Sequence, residues 1–257
     1  MGLEFINITE SEFLSKRLLH KYMPLEYALE MLNNKHLWFA NPTIWKDPFE
    51  KKFVNANFKD RKTSKVVKFP WANRVFCLCL TQTATSEAYW NTYIRDNIGI
   101  AFKFNRAAFL DALKAYSEKY NIYIGKVEYM PTLSITTTIS KIPFSPAIAP
   151  NLSDPRFNAR LLLLKRNAYK YEDEIRVIVV KDKSTTEQGI YLPYADNTTL
   201  IDSLTLAPMV GPQTTALLKN IFENMYGFSP IKTTKGIRHR VLKSQLYTQL
   251  SPQTIKI

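Results

Sequence analysis

Residues 75–81, with the sequence VFCLCLT, form a continuous apolar run of strand length. A run of this length without polar alternation predicts a central strand that is covered on both faces of its sheet. Residues 174–180 form a second strand signal rich in β-branched side chains, and residues 98–104 alternate strictly between two faces. A sheet containing such strands must be packed against other layers.

Helical spacing of apolar residues recurs between these strands, after Pro24, after Asn105, and from Pro155 and Pro212. The strands outnumber the helices and do not alternate regularly with them. This pattern predicts an α+β fold of mostly antiparallel sheet with packed helices, and a doubly wound parallel sheet is the alternative. No internal repeat or boundary interrupts the pattern, so residues 1–257 are predicted to form a single domain.

The segment from Pro131 to Pro155 lacks lasting periodicity and is predicted to be a long irregular excursion. Nowhere does the chain approach the roughly 20 apolar residues of a membrane helix, and its first ten residues lack the pattern of a secretory signal. We therefore expect a cytoplasmic protein without membrane contact.

The chain is strongly basic, with 35 Lys and Arg residues against 22 Asp and Glu residues. A formal charge of +13 favours polyanionic partners such as nucleic acid. The alternative is a basic, soluble surface whose charge has no specific binding role. With seven glycines, the chain has no Gly-rich phosphate loop, and its three scattered histidines do not predict a metal site.

Glu172, Glu174 and Arg176 occupy alternate positions where the chain enters a predicted strand. We expect the three side chains to project to the same side of the sheet. One interpretation is a water-facing row on an edge strand, in which Glu174 pairs with Arg176. The other is a carboxylate in a cleft that stabilises positive charge developing on a sugar during glycosidic cleavage.

Three separated blocks of the sequence resemble the bacterial family catalogued as domain of unknown function 2971. The first block has a KY pair, then LWFANP and DPFE; the second has a strand, an aromatic pair and a Gly-x-x-Phe segment; the third is YEDEIR. The blocks occur in the family's order. They are found at residues 19–50, 76–104 and 171–176.

That family is similar in layout to the ADP-ribosyltransferase superfamily, which carries a His or Arg on an early strand, a middle Tyr or Ser, and a late Glu. The resemblance implies an ADP-ribosyltransferase-like fold with NAD as co-substrate. Glu174 would stabilise the oxocarbenium ion, Glu172 would orient the acceptor, and Arg176 would fix Glu174 or contact phosphate.

The resemblance also implies cofactor-binding residues elsewhere in the chain. Lys21 or Tyr22 would contact the adenosine ribose, although Lys21 departs from the superfamily's His or Arg. Trp90 and Tyr93 would line the nicotinamide side, with a place in the core as the alternative. Asp47 and Glu50, close to the Pro48 turn, would belong to the same cleft, with capping of the Asp-Pro turn as the alternative for Asp47.

The implied function is transfer of ADP-ribose from NAD to a macromolecule, with nucleic acid favoured as acceptor over protein. The resemblance suggests a toxin or phage-defence role, which would bring an antitoxin partner. NAD hydrolysis at the same site is one alternative, and a non-catalytic nucleic-acid-binding module is another. That module would use two basic clusters: Lys59, Arg61, Lys62, Lys65 and Lys68, and Lys232, Lys235, Arg238, Arg240 and Lys243.

Overall fold

The computed structural model of the chain describes residues 2–16, 18–59, 64, 66–84, 86–94, 98–135 and 154–247. Over these residues it is an α+β structure built around a mixed, mostly antiparallel sheet, which is the class that the sequence predicts. The strands are β1 (Gly2–Ile6), β2 (His20–Pro24), β3 (His36–Ala40), β4 (Asn57–Lys59), β5 (Val66–Lys68), β6 (Val75–Thr81), β7 (Gly99–Phe104), β8 (Asn121–Lys126), β9 (Glu128–Met130), β10 (Leu164–Arg166), β11 (Glu174–Val180), β12 (Gly189–Pro193), β13 (Ile201–Leu206), β14 (Ile231–Thr233), β15 (Gly236–Arg238) and β16 (Val241–Lys243).

The helices pack on the sheet, and those that begin at residues 25, 106, 155 and 212 start where the sequence predicts. Asn105 caps the helix that begins at Arg106 by accepting hydrogen bonds from the Ala107 and Ala108 amides, and Asp154 caps the helix that begins at Pro155. The helices are α1 (Glu10–Ser15), α2 (Leu25–Asn34), α3 (Pro48–Val54), α4 (Glu87–Tyr93), α5 (Arg106–Lys114), α6 (Pro155–Leu161), α7 (Asn197–Leu200) and α8 (Pro212–Asn224), with short 3-10 helices at Pro42–Ile44 and Asn167–Glu172. Among the described residues, none of these helices is long and apolar enough to span a membrane.

The main sheet contains ten strands, eight of which follow the order β1-β8-β11-β6-β2-β7-β13-β16. The other two are β3, which pairs with the edge of β6 that faces away from β11, and β12, which pairs with β3. We call this edge the outer edge of β6. Strand β11 is central, because it pairs along its whole length with β6 and also with β8. The pairs β1-β8 and β13-β16 are parallel, and the other neighbours in this sheet are antiparallel.

Two hydrophobic clusters cover the two faces of the central strands. Phe76, Leu78 and Val177 belong to the larger cluster, whereas Cys77 and Ile178 belong to the smaller one on the opposite face. Fully burying such a side chain contributes about 1.5–3 kcal/mol. Coverage on both faces explains why β6 and β11 have apolar sequences without alternation.

The sheet splits along the outer edge of β6. This edge bridges to β2 only at His20 opposite Thr81, and to β3 only at Ala40 opposite Cys77. In an antiparallel strand, the backbone N–H and C=O groups of alternate residues point to the same edge. Cys79 lies two residues from both Cys77 and Thr81, so its backbone groups face the gap between these two bridges. Lys21 Nζ donates to the Cys79 carbonyl oxygen across that gap at 3.1 Å.

Several predicted segments differ in detail. The N-terminal elements β1 and α1 were not predicted, although Thr9 and Glu12 form a capping box that marks the start of α1. The strand predicted over 122–129 is divided into β8 and β9, and the basic tail strand is divided into β15 and β16. Of the predicted irregular excursion, residues 136–153 lie outside the described residues.

Candidate functional site

Five charged side chains form a buried cluster at the start of β11. They come from α3, β10, the second 3-10 helix and β11. Glu172, Glu174 and Arg176 are each at most 2% exposed. The members are Glu50, Lys165, Glu172, Glu174 and Arg176. Three carboxylates meet two cations, so one negative charge remains when all are ionised.

Glu174 lies at the centre of this cluster. Its Oε1 accepts from Arg176 Nε at 2.8 Å, and its Oε2 accepts from Arg176 Nη2 and Lys165 Nζ, each at 3.0 Å. Arg176 also donates to Glu50 Oε1 at 2.8 Å, and its guanidinium lies 4.4 Å from the ring centre of Trp45. Arg176 therefore fixes Glu174, and its burial under Trp45 removes it from contact with a phosphate.

Glu172 reaches the same cluster from outside the strand. It ends a 3-10 helix, and Asp173 adopts a left-handed conformation with φ of 38° before β11 begins. The hydroxyls of Thr81 and Tyr89 donate to the Glu172 carbonyl oxygen at 2.6 and 2.8 Å. The water-facing edge row is thus wrong, because β11 lies between two neighbours and both carboxylates are buried.

The surroundings shift the two carboxyl groups in opposite directions. Burial raises the pKa of Glu174, but Arg176 and Lys165 outweigh this effect and hold its pKa well below the usual range. Burial and the nearby charge of Glu174 raise the pKa of Glu172, although Lys165 opposes them. Two neighbouring carboxyl groups whose pKa values are shifted apart in this way are suited to acid–base chemistry.

Both carboxylates line a small cavity of about 30 Å³, which has room for little more than a water molecule. Two of the residues implied to contact NAD, Lys21 and Tyr22, line this cavity as well. Tyr93 also lines it, and its hydroxyl donates to Glu172 Oε1 at 3.1 Å.

A much larger cleft of about 500 Å³ opens where the sheet splits. It shares Lys21, Tyr22, Cys79 and Tyr93 with the small cavity, so the two spaces adjoin. Its other lining side chains include several half-exposed aromatic rings: Tyr27, Trp38 and Tyr191. A volume of this size with aromatic walls and few polar groups is typical of small-molecule sites.

Two predicted cofactor-binding residues lie elsewhere. Trp90 is 5% exposed, packs edge-on against Tyr22 and lines neither cavity, so it takes the alternative place in the core. Asp47 pairs with Arg166 at 3.1 Å and accepts from the Phe49 amide at 2.9 Å. It lines neither cavity, and its role is to cap the Asp-Pro turn.

Lys165 and His20 belong to the site but are not among the residues that the sequence predicts for it. Lys165 follows a helix in a segment with no motif, so no local signal marks it. His20 lines the small cavity, and its Nδ1 is buried without a hydrogen-bond partner among the described residues. Its position on an early strand beside Lys21 was a usable signal, given the superfamily's early His or Arg.

The two basic clusters are only partly available for binding. Arg240 donates to the backbone carbonyls of Thr198 and Asp202, and Lys243 donates to the Pro208 carbonyl, so both are structural. Arg61, Lys62 and Lys65 lie outside the described residues. Exposed cations therefore remain on the β14–β15 hairpin and at Lys68: Lys232, Lys235, Arg238 and Lys68.

No group of His, Cys, Asp and Glu side chains suited to a metal ion occurs among the described residues. Comparison of the chain with family models finds no match, and comparison with curated proteins and with solved structures finds no significant match.

Proposed function

We propose that this protein is an NAD-dependent ADP-ribosyltransferase. One observation carries the proposal: two carboxyl groups with oppositely shifted pKa values line a cavity that adjoins the aromatic cleft at the split in the sheet. The resemblance of the sequence to a family with ADP-ribosyltransferase-like layout supports the same site.

Breaking the bond between ribose C1′ and the nicotinamide nitrogen leaves the electron pair on nicotinamide and positive charge on the ribose. An ionised Glu174 stabilises that charge, and the cluster's remaining negative charge adds to the effect. Glu172 takes the proton of the attacking acceptor group as its bond to C1′ forms, because a raised pKa suits a group that must exchange a proton.

The cleft supplies features that suit the rest of the dinucleotide. Trp38 and Tyr191 pack at 4.6 Å between ring centres and are each more than 40% exposed, so they offer faces for a planar base. Lys21 lines both spaces, so its ammonium group is available to a phosphate at their junction. His20 fits the superfamily's early His better than Lys21 does.

Tyr93 lies at the junction of the small cavity and the cleft. The cavity is too small for a ribose, and the Tyr93 side chain lines both spaces while remaining 39% exposed. Rotation of this side chain away from Glu172 joins the two spaces and admits the sugar. The hydrogen bond from Tyr93 to Glu172 is therefore expected to break when substrate binds.

The test is release of nicotinamide from NAD by the purified protein, with and without added RNA, DNA and cell lysate. Wild type is compared with Glu174→Gln, Glu172→Gln and the control Glu128→Gln, which alters a half-exposed carboxylate outside the cavity. Thermal unfolding of each variant shows whether it is folded. We expect both site variants to lose turnover while remaining folded, and the control to keep it.

Turnover that requires one added polymer identifies the acceptor class, whereas turnover with water alone identifies a hydrolase using the same site. Absence of both NAD binding and turnover in the folded wild-type protein would refute the proposal.

A further inference from the structure

A third depression, of about 390 Å³, lies beside the candidate site and is rich in cations. Asp202 is the carboxylate in its lining, and it is shared by two of the cations: Lys103 Nζ at 2.8 Å and Arg238 Nη1 at 3.0 Å. Lys16, exposed after α1, and Arg106 line the same depression. With four cations against one anion, its lining is strongly positive, and we call it the basic groove.

The positive charge of this groove comes from side chains and not from the start of α5. The amides of Ala107 and Ala108 are already occupied by the Asn105 side chain. Lys16 carries no salt bridge among the described pairs, and Arg238 is 48% exposed. These two cations can therefore contact a ligand without first losing a buried partner.

The groove adjoins the small cavity through His20. In the ladder, His20 lies opposite Lys103, which lines the groove, and opposite Thr81, which lines the cavity. Arg106 lies on the same side, since its Nη2 donates to the side chain of Gln82, the residue after Thr81, at 3.3 Å. A chain lying in the groove passes directly beside the cavity that holds Glu172 and Glu174.

The aromatic side chains at the cavity favour nucleic acid over an acidic protein. Tyr93 and Tyr171 are each about 40% exposed and flank Tyr89, whose ring centre lies 5.3 and 6.2 Å from theirs. Proteins that bind single-stranded nucleic acid combine a cationic groove for the backbone with exposed aromatic rings on which bases stack.

We propose that the basic groove binds the phosphodiester backbone of single-stranded nucleic acid and presents a nucleotide to the cavity as the acceptor of ADP-ribose. The acceptor role rests on the proposed function, but the binding role does not. Phosphate contacts by Lys16, Lys103 and Arg238 position the strand, and the tyrosines at the cavity hold the base that reacts.

The binding test uses fluorescence anisotropy of short labelled RNA and DNA strands in the absence of NAD, over about 50 to 200 mM salt. We compare wild type with Lys16→Gln/Arg238→Gln, and with the charge-matched control Lys35→Gln/Lys183→Gln, whose positions lie outside the groove. Two lost contacts to a single strand should flatten the slope of log affinity against log salt by about 1.4. The control should keep the wild-type slope.

Failure of wild type to bind either strand, or equal loss in both double variants, would overturn the binding role. Displacement of the strand by polyglutamate as readily as by unlabelled strand would also overturn it and would assign the groove to an acidic protein.

The acceptor role is tested by incubating the bound strand with labelled NAD and measuring label on the strand. NAD consumption without label on the strand would overturn the acceptor role and leave the proposed chemistry standing. No NAD consumption would instead refute the proposed function and with it the acceptor role, while the anisotropy result would still decide what the groove binds.

Discussion

Glu172 and Glu174 share a single ammonium group. Lys165 Nζ lies 2.5 Å from Oε2 of Glu172 and 3.0 Å from Oε2 of Glu174, and the lysine is 5% exposed. Without this cation, two carboxylates would face each other in a buried space, with Arg176 bonded to Glu174 and Glu50. The lysine therefore holds together the pair on which the proposed chemistry depends.

Replacing Lys165 with Met should lower the free energy of unfolding by about 3–5 kcal/mol, because it leaves buried negative charge without its partner. Urea denaturation at pH 7 measures the loss. Lys126→Met is the control, since its pair with Asp173 is about 45% exposed and should contribute at most about 1 kcal/mol. Equal effects of the two substitutions would contradict the central role of Lys165.

His20 should make the fold less stable in mild acid. Burial, Lys103 and Arg106 lower the pKa of His20 to about 4, whereas the unfolded chain has an ordinary pKa of about 6.5. The unfolded state therefore binds the proton first. The resulting stability is fully present above about pH 6.5 and is lost towards pH 4, amounting to about 3 kcal/mol.

The measurement is urea denaturation of wild type, His20→Gln and the exposed control His239→Gln at pH 7 and pH 4.5. The difference in unfolding free energy between the two pH values should shrink by about 2–3 kcal/mol in His20→Gln alone. A difference that remains as large in His20→Gln as in wild type would mean that His20 does not titrate as its burial requires.

Tyr93→Phe should shift the pH profile of NAD turnover. Burial raises the pKa of the Glu172 carboxyl group. The hydrogen bond that the Tyr93 hydroxyl donates to Glu172 lowers this pKa and so opposes the effect of burial. Removing the hydroxyl should move the acidic limb of the kcat/KM profile upward by about one pH unit, since a hydrogen bond to a charged group contributes about 1.5 kcal/mol. Tyr171→Phe is the control, because the Tyr171 ring is half-exposed, and this variant should leave the acidic limb of the profile in place. Profiles that coincide for all three proteins would exclude Glu172 as the titrating base.

Trp38→Ala should weaken NAD binding about 2- to 13-fold, which corresponds to loss of a stacking contact of about 0.5–1.5 kcal/mol. Gly189→Ala should act in the same direction, because a Cβ at this position would lie 2.1 Å from Trp38 Cζ2 and force the half-exposed ring away. Isothermal titration calorimetry measures both dissociation constants.

The control for the cleft is Leu217→Ala, which removes an exposed apolar side chain on α8. It should bind NAD as wild type does. Unchanged affinity in Trp38→Ala would place the dinucleotide outside the aromatic cleft.

Much of the secondary structure was predictable because it follows from short-range effects. The predicted runs at 75–81 and 174–180 coincide with β6 and β11, and the Asn105 cap coincides with the start of α5. Backbone geometry imposes these periods over a few residues, so they are visible in the sequence wherever a face is buried.

The alternation of Glu172, Glu174 and Arg176 was also visible in the sequence, but whether these side chains are exposed or buried was not. Whether the row faced water or a cavity depended on the position of β11 within the sheet, and strand order is not a local property.

The sequence by itself determined the main strands and several helices, the α+β class and the candidate carboxylates. The tertiary structure alone decided that Glu50 and Lys165 join Glu174, that Trp90 and Asp47 leave the site, and that the sheet splits beside Cys79. The physical reason is distance. Coulombic pairing and cavity formation depend on separation through space, and residues more than 100 positions apart reach that separation only through the order of strands in the sheet.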